Sequence, residues 1–88
     1  MCLMSLEIIK LEKNDCPGCK ILGMILDNEV DFPITVINLD ENPEAVKEFN
    51  CLAAPVLVFE KHGVEFLRFS NGRDFSAENI NKVISDHR

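Results

Sequence analysis

The sequence predicts an α/β domain with the element order β-α-β-α-β-β-α, a four-stranded mixed sheet with helices on both faces. Three observations lead there. Short apolar runs rich in branched residues alternate with segments whose apolar residues recur every three or four positions. Prolines stand at the start of two of those helical segments, where a missing N–H costs nothing. A Lys61-His62-Gly63 turn joins the last two apolar runs into a hairpin. A chain of 88 residues and 10.0 kDa suits a single domain over 1–88.

The first strand is read over Leu6 to Leu11, closed by the polar stretch Lys13-Asn14-Asp15. Pro17 then opens a helix whose face is Cys19, Leu22, Ile25 and Leu26, ending around Asp27 to Val30. Gly23 lies inside it, at a cost of about 1 kcal/mol relative to alanine. Ile34 to Leu39 is long enough for a strand and too short for a helix. Asn42, Pro43 and Glu44 supply a capping side chain, a first-turn proline and a charge that suits the helix dipole, so a short helix runs to about Asn50. Pro55 to Phe59 and Val64 to Phe69 form the hairpin. Asn71-Gly72 breaks the chain, and Ser76 with Asn79 resembles a capping box without its usual Glu or Gln. Ile80, Val83 and Ile84 mark a last helical face. The first β-α-β unit should be parallel with a right-handed crossover. Three helices crowd one face of so small a sheet, so they should divide between both.

Composition narrows the function. Apolar residues make up 47% and charged residues 27%, which is globular rather than disordered. Nine Lys and Arg against fifteen Asp and Glu leave a net charge of −6, which argues against nucleic acid and anionic membrane as partners. No apolar stretch is long enough to span a bilayer, and Met1 to Leu11 lack the basic start of a secretory signal, so a cytoplasmic location is expected. Four cysteines are too few for a secreted disulfide scaffold of this length and call for a chemical role.

That role centres on Cys16-Pro17-Gly18-Cys19, which follows a strand and opens a helix. At the N-cap, the Cys16 sulfur faces unpaired N–H groups and the positive end of the dipole, both of which favour thiolate. Cys19 stands one turn further in, within disulfide reach of Cys16. Attack by Cys16 on a substrate disulfide would give a mixed disulfide that Cys19 resolves. Two other readings stay open. Half a zinc site would need two more ligands, and Cys2, Cys51, His62 and His87 offer no close pair. A purely structural disulfide is the other.

With these residues placed, the chain resembles the thioredoxin family from Leu6 onward. Cys16-Pro17-Gly18-Cys19-Lys20 is similar to the family's active-site segment, with the two middle residues in reversed order. Ile25-Leu26-Asp27, Val36 to Pro43, and Ala54 to Phe59 resemble its helix, its following strand and turn, and its cis-proline segment; Gly63 and Gly72 match its hairpin and late glycines. The resemblance implies a thioredoxin-like fold and a protein-disulfide reductase with Cys16 as nucleophile and Cys19 as resolving thiol. It further implies a cis Pro55, a substrate groove formed by Pro17, Gly18, Ala54, Pro55 and Gly72, and no cofactor. The expected partners are disulfide-bearing proteins and a flavoprotein disulfide reductase such as thioredoxin reductase, with the chain acting as a monomer.

Departures from the family are plain. Its extra N-terminal strand and helix are missing, Asp15 replaces a tryptophan, and Gly23-Met24 replaces a kinking proline. Lys10 stands six positions before Cys16, where the family places a buried acid. Glutaredoxins are the nearest competitor, through Lys13 and the Cys-Pro pair. Ser70-Asn71-Gly72-Arg73-Asp74 lacks their glycine-rich signature, so a glutathione-dependent enzyme is the alternative, alongside a non-catalytic metal-binding or interaction module.

Lys10 has two readings, a snorkelling or paired side chain (with Glu12 or Glu60) or a cation that modulates a thiol pKa. The paired, structural reading is favoured. Cys51 is expected as a small core residue, Cys2 as an exposed terminal thiol, and Asp40-Glu41 as a solvated loop.

Overall fold

The computed structural model describes residues Ser5 to His87; Cys2 therefore lies outside the described residues. The elements follow in the order β1 (Leu6–Glu12), α1 (Pro17–Glu29), β2 (Ile34–Asn38), α2 (Pro43–Phe49), β3 (Val56–Lys61), β4 (Val64–Phe69), a 3-10 turn (Gly72–Asp74) and α3 (Ala77–His87). The strands stand in the order β2-β1-β3-β4. β1 runs parallel to β2 and antiparallel to β3, and β3 pairs antiparallel with β4.

The period-two pattern of β1 explains the layering. Leu6 and Ile8 point to one face, where they pack with Leu22 and Leu26 of α1, Ile80 and Ile84 of α3, and Leu57 and Phe59 of β3. Ile9 and Leu11 point to the other, against Ala45 and Phe49 of α2 and Val56 and Val58 of β3. The helices thus divide two and one. The two central strands are buried on both faces, as the unbroken run Val56 to Phe59 requires. Phe59 is fully buried and meets Phe69 edge-on at 5.0 Å between ring centres.

The turns use residues that tolerate their geometry. His62 (φ 55°) and Gly63 (φ 79°) both occupy the left-handed region, as a two-residue hairpin turn needs. Asn50 ends α2 in the same region. Of the two capping expectations, one changes and one holds in part. Asn42 occupies the N-cap of α2, but its side-chain amide donates instead to the Asn38 carbonyl at 3.0 Å. Ser76 does cap α3, accepting from the Asn79 amide N–H at 3.1 Å, while the Asn79 side chain turns away to the Asp74 carbonyl. Cys51 is half-buried at the edge of the second core rather than inside it, and its thiol donates to the Ala53 carbonyl at 3.4 Å.

Candidate active site

The site forms where β1 hands over to α1. Asp15 (φ 54°) turns the chain, and Cys16 follows in extended conformation as the N-cap of α1. Its carbonyl accepts from the amides of Cys19 and Lys20 at 3.1 and 3.2 Å, and its sulfur also accepts from the Cys19 amide at 3.1 Å. Pro17 opens the helix without spending a donor. Cys16 and Cys19 are joined as a disulfide with Cα atoms 5.2 Å apart, a separation such bridges ordinarily take. The two sulfurs differ in access. Cys16 is partly exposed, whereas Cys19 is only 4% exposed. When the bridge opens, a Cys16 thiolate would meet the same N–H group and the positive end of a thirteen-residue helix.

The loop that presents Cys16 is tied down by residues that sequence reasoning passed over. The Asn14 amide N–H donates to Asp40 at 2.9 Å, and the Asn38 side chain donates to Asn14 Oδ1 at 3.0 Å. Asn38 Oδ1 in turn accepts from the amides of Asp40 and Glu41 at 2.9 and 3.2 Å. Asp40, read as a solvated loop residue, thus helps to seat the Cys16 loop. The available signal was Asn and Asp clustered at two strand ends, which favours side-chain to backbone bonding.

Pro55 follows a cis Ala54–Pro55 peptide bond and packs against Gly18, which lies between the two cysteines. Gly18 approaches it so closely that a Cβ there would lie 3.2 Å from Pro55 Cδ. The structure brings Gly18, Ala54, Pro55 and Gly72 to one apolar groove of about 290 Å³, and adds Ile21 and Phe75 to its wall. Pro17 is exposed on the first turn of α1 and does not line that groove. Ile21 and Leu52 are large apolar side chains left exposed, 61% and 72%.

Lys10 is buried on the α1 face of β1 and pairs with Glu12 at 2.9 Å, rather than with Glu60. Both line a second cleft, of about 510 Å³, that also includes Cys16 and Cys19. Among the described residues, no group of three or more His, Cys, Asp or Glu is placed to hold a metal ion. No described helix is long and apolar enough to cross a membrane.

No protein-family model matches the sequence, and no curated protein sequence matches it. Solved structures do. Thioredoxin from Fasciola hepatica is 21% identical at a TM-score of 0.75, covering 97% of this chain and 83% of its own. A mutant thioredoxin from Halobacterium salinarum is 15% identical at a TM-score of 0.81, covering 94% and 74%. Mitochondrial thioredoxin 3 from Saccharomyces cerevisiae, in its oxidized form, is 21% identical at 0.71, covering 93% and 78%. At such identities the likeness speaks for architecture, and this chain has the thioredoxin fold.

Proposed function

We propose that the protein is a thiol–disulfide oxidoreductase that reduces protein disulfides through Cys16 and Cys19. One observation carries the reading: a partly exposed cysteine caps a helix N-terminus, bonded to a buried cysteine one turn inside, with an apolar groove alongside. In the dithiol form, the Cys16 thiolate attacks one sulfur of a substrate disulfide and the other sulfur departs. The Cys19 thiolate then attacks Cys16 Sγ, the mixed disulfide breaks, and the substrate leaves with both sulfurs reduced. The electron pair passes from the dithiol to the substrate and leaves Cys16 and Cys19 joined as a disulfide, so no bound cofactor is needed for the step.

The groove suits an extended polypeptide. Ala54 can offer main-chain hydrogen bonds while Gly18, Pro55 and Gly72 admit side chains of varied shape, so recognition depends little on substrate sequence. Restoring the dithiol calls for an outside donor, which we take to be a flavoprotein disulfide reductase such as thioredoxin reductase. We place the protein in the cytoplasm, where thiols are kept reduced, acting as a monomer. The test is Cys19→Ser. It should accumulate a mixed disulfide between Cys16 and a protein substrate, visible as a covalent complex that dithiothreitol releases. Free turnover of a Cys16→Ser variant would sink the proposal.

A further inference from the structure

Lys10 is the one charged side chain buried among the described residues, 6% exposed, on a central strand covered by helices. A buried ammonium is costly unless something nearby uses or compensates it. Glu12 compensates it, two residues along the same face of β1. Space for it comes from Gly23, where a Cβ would stand 3.2 Å from Lys10 Nζ. A glycine in a helix interior costs about 1 kcal/mol, so the ammonium occupies room that the helix has given up.

That room is beside the disulfide. Gly23 follows Cys19 by four residues and so shares its helix face, one turn along. Lys10, Glu12, Gly23, Cys16 and Cys19 all border the same cleft. Glu12 is the more exposed partner, with 28% of its side chain accessible against 8% for Lys10, so water screens the carboxylate more than the ammonium. The other charges on this cleft are Lys13 and Asp15 on the loop and Lys20 and Asp27 on α1. Asp15, Lys20 and Asp27 are exposed and Lys13 is partly so, which leaves them largely screened. β2 contributes the uncharged Asn38. Lys10 is therefore the one buried charge on the cleft that Cys19 borders.

We propose that Lys10 is a positioning residue that holds Cys19 as a thiolate for the resolving step, with Glu12 as its counter-charge. The inference rests on the dithiol reading of Cys16 and Cys19. In the mixed disulfide, Cys19 gives its proton to water in the cleft. Its sulfur bonds to Cys16 Sγ, the bond from Cys16 to the substrate breaks, and the departing substrate thiolate takes a proton from solvent. Two electrons pass from the dithiol to the substrate. Lys10 remains an ammonium throughout and acts by charge alone.

The test is the titration of Cys19 in the reduced protein, followed by the ¹³Cβ chemical shift of labelled cysteine. For scale, an ammonium about 5 Å from a thiol, at an effective dielectric of about 20, moves it by roughly two pH units, and an opposing carboxylate beside it leaves about one. Lys10→Met should raise the Cys19 midpoint by about one unit. Glu12→Gln, which removes the counter-charge and keeps the ammonium, should lower it. Opposite shifts are the mark of electrostatics; a merely structural ion pair would lower stability in both variants and leave the titration in place. Unchanged midpoints, or shifts of the same sign, overturn the proposal. Should Lys10→Met fail to fold, Lys10→Gln, which removes the charge and keeps a polar side chain, is titrated in its place, and an unmoved Cys19 midpoint overturns the proposal. Cycling of the wild-type protein between dithiol and disulfide is measured on the same sample. Cycling with unmoved midpoints removes Lys10 and leaves the dithiol reading, whereas no cycling removes the dithiol reading itself.

Discussion

Replacing Gly18 by alanine tests whether the contact between α1 and Pro55 builds the groove. The added Cβ would lie 3.2 Å from Pro55 Cδ and 3.6 Å from Cγ. Optimal carbon contacts lie at about 3.5–4.0 Å, so the first distance is short by a few tenths of an ångström. A proline ring has no rotamer with which to yield. Either the first turn of α1 or the Ala53–Pro55 segment must move. Overpacking of this kind costs about 1–3 kcal/mol. Alanine in place of glycine returns up to about 1 kcal/mol of helix propensity, less in a first turn. The net expectation is a loss of about 0.5–2 kcal/mol, which for a domain of this size lowers Tm by roughly 2–16 °C. The added methyl also stands in the wall of the groove beside Pro55. Turnover of a protein disulfide should fall several-fold, while a small disulfide that does not need the groove should react nearly as before. Thermal unfolding and parallel assays with the two substrates read both effects. A Gly18→Ala variant that is more stable and equally active on protein disulfides would refute the reasoning.

Two further predictions follow from the polar contacts. Asn38→Ala removes the side chain that bonds Asn14, Asp40 and Glu41; it should cost about 1–2 kcal/mol in urea unfolding and loosen the loop before Cys16, seen as faster amide exchange at Asn14 and Asp15. Glu60 stands directly across from Glu7 on one side and Glu65 on the other; burial pushes its carboxyl above the ordinary value, with Glu7, Glu48 and Glu65 adding to the shift. A carboxylate raised in the folded state weakens folding at pH values above that raised value, and the penalty fades as pH falls toward the unfolded value. Glu65 has the opposite sign, because its hydrogen bond with Arg68 holds its carboxyl low, so its stabilisation is present at neutral pH and lost in acid. Glu60→Gln should therefore gain stability at pH 7, by about 0.2–1 kcal/mol, and the gain should shrink as pH falls toward 4. A gain independent of pH would contradict the electrostatic explanation.

Much of the fold is legible in local patterns because those patterns are physically self-sufficient. The branched runs at 34–38 and 56–59 are too short for helices, and Pro17 and Pro43 take the first positions of α1 and α2, where a missing N–H costs nothing. The Cys16–Cys19 spacing carries its own geometry once a helix begins at Pro17. What escaped is what depends on residues distant in sequence. Asn42 has the right identity to cap α2 but finds a better acceptor in the Asn38 carbonyl. Asp40 is exposed as read, yet it also accepts from the amide of Asn14, 26 residues earlier. The groove wall at Phe75 comes from beyond the hairpin, and no spacing rule connects it to Gly18. Lys10 is the instructive middle case. Its pairing with Glu12 follows from strand periodicity, whereas its place beside Gly23 and the disulfide depends on how α1 packs across β1.

The central claim is that Cys16 and Cys19 form a working redox pair. Its most direct measurement is equilibration of the protein across a graded thiol–disulfide redox buffer, followed by acid quench, thiol alkylation and peptide mapping. The account predicts a single reversible two-electron transition in which both cysteines become alkylated together, with the ratio of dithiol to disulfide changing tenfold for about every 30 mV. A pair that stays locked as disulfide or dithiol across the whole buffer range, or cysteines that are modified independently, would contradict it.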